Sequence, residues 1–266
     1  MADFFLFGLG YSARVLADRL LADGWAVQAT GSAGTIAFAD DDAVRAALAR
    51  TSHVLSSVPP EPDGADPVLT RYGDALSGKW LGYLSSTGVY GDAGGAWVDE
   101  SSPVGVGRRR ARAAADSAWL GVGAHVFRLP GIYGPGRSAL DRVRQGTAHR
   151  IALPGQVFSR IHVEDIAEGV LHALTTPGGA FNLADDLPAS QNRVIAEAAR
   201  LLNRAPPPLV SLEEAGLSPA ARAFYAENRR VANGKAKRLL GWRPRYPTYH
   251  AGLQAILAAE ATKRNL

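Results

Sequence analysis

The apolar run Phe4–Phe7 leads into Gly8-Leu9-Gly10-Tyr11-Ser12-Ala13, and an apolar pattern at helical spacing follows. This is the G-x-G-x-x-G/A spacing of a phosphate turn between a strand and a helix. The first glycine permits the tight turn, and the second lets the backbone approach a pyrophosphate. The small Ala13 lets helix and strand pack closely. The helix that opens there offers free N–H groups and the positive end of its dipole to an anion. The alternative is an ordinary glycine-rich turn. Read as a phosphate turn, it assigns Gly8, Gly10, Tyr11, Ser12 and Ala13 to a dinucleotide. An NAD-selective site carries Asp or Glu after the second strand, on the ribose 2′-hydroxyl. Here that strand ends Thr30-Gly31-Ser32, with no acid until Asp40. A carboxylate repels a 2′-phosphate, so its absence leans towards NADP over NAD. Arg14 and Ser32 are then the phosphate partners, unless Arg14 is simply a solvated first-turn residue.

The composition removes other chemistries. There is no cysteine, which excludes disulfides, thiolate metal sites and cysteine nucleophiles. No residues have metal-ligand spacing. No stretch approaches the ~18 to 20 apolar residues of a membrane span, and Asp3 stands where a secretory leader is basic. A cytoplasmic protein without membrane association is expected. Among 29 basic residues, 25 are arginine, and the net charge is only +4. The one basic cluster, Arg108-Arg109-Arg110 with Arg112, has no interleaved aromatics. That favours a solvated helix face or a phosphate site over nucleic acid.

A chain of 266 residues buries a substantial core, as one domain or as a domain with a smaller lobe. The first half alternates short apolar runs with helical patterns. Phe4–Phe7, Trp25–Thr30, His53–Val58, Lys79–Ser85 and His125–Leu129 read as strands, with Ile36–Ala39 a further short run. Residues 14–23, 42–50 and 67–75 read as helices. The alternation predicts an α/β fold with a doubly wound parallel sheet, and ligands sit beyond the carboxyl ends of such strands. Ser56, Ser57 and Val58 end one strand at that edge. From about Gly134 proline and glycine turns break the chain into shorter elements, which suits a second lobe over that edge.

Several stretches then fall in order. After the glycine turn come Leu84-Ser85-Ser86-Thr87-Gly88-Val89-Tyr90-Gly91, Asp99-Glu100 and Phe127-Arg128-Leu129-Pro130-Gly131-Ile132-Tyr133-Gly134-Pro135-Gly136. Arg160-Ile161-His162-Val163-Glu164-Asp165-Ile166, Phe181-Asn182-Leu183 and Leu239-Leu240-Gly241-Trp242 complete the series. In combination they closely resemble the extended short-chain dehydrogenase/reductase family, the NAD-dependent epimerase/dehydratase group, over nearly the whole chain. The resemblance implies a Rossmann-type domain over residues 1–133, with residues 161–184 returning to it. It implies a smaller C-terminal substrate lobe from residues 134–160 and 185–266. It also implies NAD(P) as cofactor, a small-molecule substrate such as a nucleotide sugar, and a homodimer as the family's frequent assembly.

In that family a Ser or Thr and a Tyr-x-x-x-Lys pair do the chemistry, with the tyrosine as the tuned acid–base group. Ser86 falls at the Ser/Thr position, with Thr87 beside it. The tyrosine and lysine are missing, because the interval from Trp97 to Gly131 contains neither type. With Asp116 at the family's helix acid, Arg108 and Arg112 take the two positions, four apart on one helix face. Arginine stays protonated and is no base, but Arg112 can anchor a ribose hydroxyl or a phosphate. The resemblance therefore implies an NAD(P)-dependent oxidoreductase or nucleotide-sugar epimerase/dehydratase-like enzyme with an altered active site, or a non-catalytic NAD(P)-binding sensor.

The remaining candidates come partly from the resemblance and partly from the residues themselves, with a surface role equally open for Arg137 and Arg160. Pro130, Gly131, Ile132 and Tyr133 lie in the segment the family places along the nicotinamide. Arg137, Ser159 and Arg160 are candidate partners of an anionic substrate, and His162 either lines the cleft or is structural. Asp165 is expected to cap a helix starting near Ile166. Tyr225 and Asn228 are placed on one helix of the second lobe, with Tyr225 a substitute acid–base group.

Overall fold

A strand buried on both faces needs a cover on each side, and the Phe4–Phe7 run has one. The computed structural model describes residues 3–105, 107 and 109–264. Its first half runs β1 (Asp3–Phe7), α1 (Tyr11–Ala22), β2 (Ala26–Ala29), α2 (Asp41–Arg50), β3 (His53–Ser56), α3 (Pro67–Tyr72), β4 (Trp80–Ser86), β5 (Trp97–Val98), α4 (Arg110–Gly121) and β6 (His125–Leu129). Its second half runs β7 (Gly131–Tyr133), α5 (Ala139–Arg144), β8 (Arg150–Ile151), β9 (Arg160–His162), α6 (Val163–Ala173), β10 (Gly179–Asn182), α7 (Gln191–Leu201), β11 (Leu209–Val210), α8 (Pro219–Phe224), β12 (Arg230–Val231), α9 (Gly234–Leu239) and α10 (Tyr249–Arg264). Six strands form one parallel sheet in the order β10-β6-β4-β3-β1-β2. The winding changes direction between β1 and β3, which sets the ligand crevice at their carboxyl ends.

Helices cover both faces. Leu16 and Leu20 of α1 pack with Ile166 and Val170 of α6 on one face. Val44, Leu48, Val68, Tyr72 and Trp119, from α2, α3 and α4, fill the other. Side-chain caps start two of these helices. The Asp40 side chain accepts the Ala43 N–H, and Asp66 accepts those of Val68 and Leu69 ahead of Pro67. A third core, with Leu140, Ile195, Leu253 and Ile256, is built by α5, α7 and α10 and takes in Tyr133 of β7. Among the described residues no helix is long and apolar enough to cross a membrane.

The structure corrects three readings. Ile36–Ala39 forms only one bridge, Thr30 to Ile36, because the chain turns back through Gly34, where a Cβ would lie 2.3 Å from the Ala29 carbonyl oxygen. The strand through His162 pairs with β7 alone, so the returning segment enters the main sheet at β10. Helix α6 begins at Val163 with His162 as its cap. Asp165, in its first turn, instead accepts the Arg245 and Tyr246 amides at 2.6 and 3.1 Å, and its backbone carbonyl accepts Trp242 Nε1. The HVEDIA and LLGW stretches thus form one clasp between α6 and the chain's tail.

A buried charged pair lies beneath the crevice. Arg128 donates through Nη2 and Nε to both oxygens of Asp116, at 2.7 and 3.1 Å, and both side chains are almost fully buried. Ser85 donates to Asp116 at 2.7 Å, and Arg128 donates onward to Tyr90, whose hydroxyl donates to Asn182. Removing one partner strands the other charge in the core. Asp116→Ala is therefore expected to destabilise the protein by about 3–5 kcal/mol in urea unfolding; a loss below about 1 kcal/mol would contradict this account.

Candidate active site

The glycine turn has the geometry its spacing requires. Gly8 lies at φ +84°, its N–H donates to Thr30 Oγ1 at 3.1 Å, and its carbonyl accepts Ser57 Oγ at 2.7 Å. A Cβ there would sit 2.8 Å from Ser57 Oγ. Gly10 is the N-cap of α1 in extended conformation, and among the described residues no side-chain cap bond reaches its first turn. A Cβ at Gly10 would meet nothing within 4 Å. The bare helix end therefore opens onto free space, as an anion site requires.

That space is a cavity of about 460 Å³. Gly10, Tyr11, Ser12, Ala13, Ser57, Pro130, Gly131 and Ile132, all cofactor candidates, line it, as do Ser86, Thr87 and Arg112. Gly8, Arg14, Ser32, Ser56, Val58 and Tyr133 do not. Ser56 is buried, with its hydroxyl accepting the Val58 N–H at 3.3 Å, and Arg14 and Ser32 are exposed beyond the wall. Tyr133 lines an adjoining cavity of about 440 Å³. The Tyr11 hydroxyl donates to the Pro135 carbonyl at 3.1 Å, the Arg137 guanidinium lies over its ring, and burial pushes its pKa up to about 12.

At the end of β4, Ser86 Oγ accepts the Gly88 N–H at 3.1 Å and caps one 3-10 turn. Thr87 Oγ1 approaches the Leu129 carbonyl at 3.5 Å. Gly88 leaves room for Arg109, whose Cδ would lie 2.3 Å from a Cβ there. Arg112 donates to the Tyr83 hydroxyl at 2.6 Å, on the α4 side of the sheet. Arg108 lies outside the described residues. Two arginines of the basic cluster, Arg109 and Arg112, thus line the cavity.

The second lobe supplies the facing wall with Phe158, Ser159, Phe224, Glu227, Arg229 and Val231. Arg137, Phe158 and Ser159 line both cavities, and Arg142, Arg160 and Gln191 line the second. Arg160 is not an open anion partner. Its Nη1 donates to the Phe158 and Ala189 carbonyls, both at 2.9 Å, its Nη2 to Gln191 at 3.0 Å, and burial lowers its pKa to about 10. Ser159 Oγ accepts the Val231 N–H at 2.9 Å. His162 lines neither cavity. Its Nδ1 accepts the Glu164 amide, its Nε2 has no partner, and burial lowers its pKa to about 4. Tyr225 and Asn228 share no helix, because α8 ends at Phe224 and Tyr225 is its cap. Tyr225 lines neither cavity. The Asn228 side chain bonds Val157 and Gly155. Sequence reasoning missed Glu227, Arg229, Phe158 and Phe224. A Glu-Asn-Arg-Arg run reads as solvated surface, and nothing local shows that it is folded inward. No metal-binding group of three His, Cys, Asp or Glu occurs among the described residues.

This arrangement defines a Rossmann-type protein with the fold of the extended short-chain dehydrogenase/reductases, the NAD-dependent epimerase/dehydratase group. The chain belongs to one family with a conserved protein of unknown function from Silicibacter pomeroyi. The two are 41% identical over 97% of this chain and 99% of that one, with a TM-score of 0.86. The human epimerase family protein SDR39U1, solved with NADPH, shares the fold at 17% identity and a TM-score of 0.76 over 96% of this chain and 99% of that one. Among curated proteins, a 3-diazoavenalumate denitrifying reductase from Streptomyces is 31% identical over 144 residues, 48% of this chain. That match spans 45% of the reductase, less than half its length. No protein-family model matches the chain.

Asp185, beside this wall, is buried with Oδ2 unpartnered, and burial raises its pKa to about 8 despite nearby Arg160. A carboxyl raised in the fold holds its proton longer than in the unfolded chain, so its stabilising contribution is lost as pH rises from about 4 to about 8. His162 has the opposite sign, its contribution falling as pH drops below about 6.5 towards 4. Asp185→Asn is expected to match the wild-type Tm at pH 4 and exceed it at pH 8 by at least about 2–4 °C, roughly 1 kcal/mol for a domain of this size. Equal Tm at both pH values would refute the assignment.

Proposed function

We propose that the chain is an NAD(P)-dependent oxidoreductase that takes a small-molecule substrate in the cavity between its lobes. The bare α1 terminus carries this reading. Gly10 faces open space at the switch point of the sheet, and the cavity runs from there to Ser86. These residues fit a dinucleotide. The amides of the first α1 turn would hold the pyrophosphate, Ser57 would flank it, and Pro130–Ile132 would border the nicotinamide. The cofactor, when bound, supplies or accepts a hydride. Ser86 and Thr87 would orient a substrate oxygen, and Arg112 would anchor a cofactor or substrate oxygen. The curated relative is named a reductase, which supports the class. Nucleotide sugars belong among the substrates to test, since one structure of this fold is a UDP-glucose 4-epimerase with UDP-glucose. The lean to NADP rests on Ser32 in place of an acid, with Ser32 and Arg14 both exposed. The absence of Tyr and Lys between Trp97 and Gly131 favours a second reading, a sensor that holds NAD(P) without turnover.

Fluorescence titration with NADPH tests what both readings require. Gly10→Glu puts a carboxylate against the pyrophosphate and is expected to weaken binding at least about 100-fold. If purified wild-type protein binds neither NADPH nor NADH, both readings fall. Turnover separates them. Ser86→Ala is expected to lower kcat about 10²- to 10³-fold with cofactor affinity kept, whereas tight binding with no turnover over nucleotide sugars and carbonyl compounds supports the sensor.

A further inference from the structure

We infer that Glu227 is the proton-exchanging residue of the cavity, a carboxylate from the second lobe that does the work of the missing tyrosine. This rests on the oxidoreductase reading. Glu227 lines the cavity with Ser86 and Thr87, yet is only 9% exposed. A Cβ at Gly107 would lie 3.3 Å from Glu227 Oε1, so the carboxylate rests against the segment in which the resemblance sets the tyrosine.

Elimination points the same way. Glu227 is the only carboxylate among the described residues lining this cavity. The other ionisable side chains there are Tyr11, Arg109, Arg112, Arg137 and Arg229. The arginines hold their protons at working pH. Tyr11 stands at the start of α1, beside the pyrophosphate turn, with its hydroxyl given to Pro135.

The loop carrying Glu227 is fixed at many points, as a reacting group requires. Glu227 Oε2 accepts Arg229 Nη1 at 2.9 Å, and that same nitrogen donates to the Gly91 carbonyl. Gln156 donates to the Glu227 carbonyl oxygen at 2.8 Å. The Asn228 amide donates to Asp92 at 2.8 Å, its side chain joins Gly155 and Val157, and Ser159 accepts the Val231 amide. Asn228 and Ser159 are thus positioning residues.

The step balances. A bound nicotinamide would supply the hydride to the carbon of a carbonyl substrate, and the oxygen would take one proton by way of Glu227, giving an alcohol and leaving the carboxylate beside Arg229. Water returns the proton. In the other direction the carboxylate takes the hydroxyl proton.

Protein labelled with ¹³C at the Glu side-chain carboxyl tests the placement without a substrate, with Glu227→Gln assigning the resonance. NADP⁺ and NADPH carry the same phosphates and differ by the positive charge on the ring. If Glu227 faces the ring, the added positive charge is expected to lower its titration midpoint by about one pH unit with NADP⁺ relative to NADPH. Binding of both with identical midpoints would overturn the assignment and leave the oxidoreductase reading standing, whereas no binding of either overturns both. With NADPH and 4-nitrobenzaldehyde, Glu227→Gln is expected to lower kcat at least about 100-fold at unchanged NADPH affinity, and Glu227→Asp to recover part of it. Wild-type kcat in Glu227→Gln would equally overturn it.

Discussion

The Asp116–Arg128 pair decides how the rest of the site is held. Taking two charges out of water costs several kcal/mol each, and such a pair is tolerable only when its remaining donors and acceptors are also satisfied. Here they are, by Ser85 on β4 and Tyr90 beyond it. Burial opposes the charge on Arg128, but its bonds to Asp116 hold the pKa above the ordinary arginine value. The pair joins β4, α4 and β6 at one point. It therefore sets where α4 lies, and with it Arg109 and Arg112 against Ser86. Tyr90 extends the network to Asn182, whose side chain bonds the Ala232 carbonyl and whose amide bonds Glu100. One buried network thus ties the cofactor sheet to the chain just after β12.

The second lobe is tied down by polar groups at specific points, alongside the apolar packing of Leu240, Trp242 and Val231 against the first part of the chain. Asp165 receives two amides of the tail, and burial raises its pKa to about 6, so its acceptor strength depends on staying ionised in a poorly solvated place. Strand β12 pairs with β5, a piece of the first domain. The loop between α8 and β12 is therefore held from both sides. A wall built in this way keeps its shape without substrate, which is what pre-organised acid–base chemistry needs.

Much of the scaffold was legible in the sequence. The alternating apolar runs gave the parallel sheet because central strands are covered on both faces. The Gly8–Ala13 spacing gave the turn because only glycine accepts φ +84° against Ser57. The family stretches also marked real contacts, though several proved to be joints. Asp165, Trp242, Asn182 and Glu100 hold the lobes together. The substrate wall was not legible. Arg160 looks like an anion ligand until the carbonyls of Phe158 and Ala189 are seen to occupy it. Glu227 looks solvated until Gln156, 71 residues away, is found fixing its backbone. Contacts of that range leave no local periodicity to read.

Exchanging a lysine for an arginine changes more than one position. A lysine beside a tyrosine acts as a point charge that lowers the hydroxyl's pKa. Arginine presents a rigid fork of donors and does not give up its proton. In this chain the fork of Arg112 is turned to Tyr83, stacked on Trp119 behind the sheet, and the tyrosine is pushed up to about 12 by burial rather than down. That pairing cannot serve as a base, and Tyr83 does not reach the cavity. Helix α4, with Arg112 and its cap Arg109 on the cavity, lines the crevice with positive charge. Across the crevice stands Glu227, the one carboxylate among the described residues lining this cavity. Chemistry divided in this way depends on the registry of the two lobes, which is what the Asn182, Asp165 and Asn228 bonds fix.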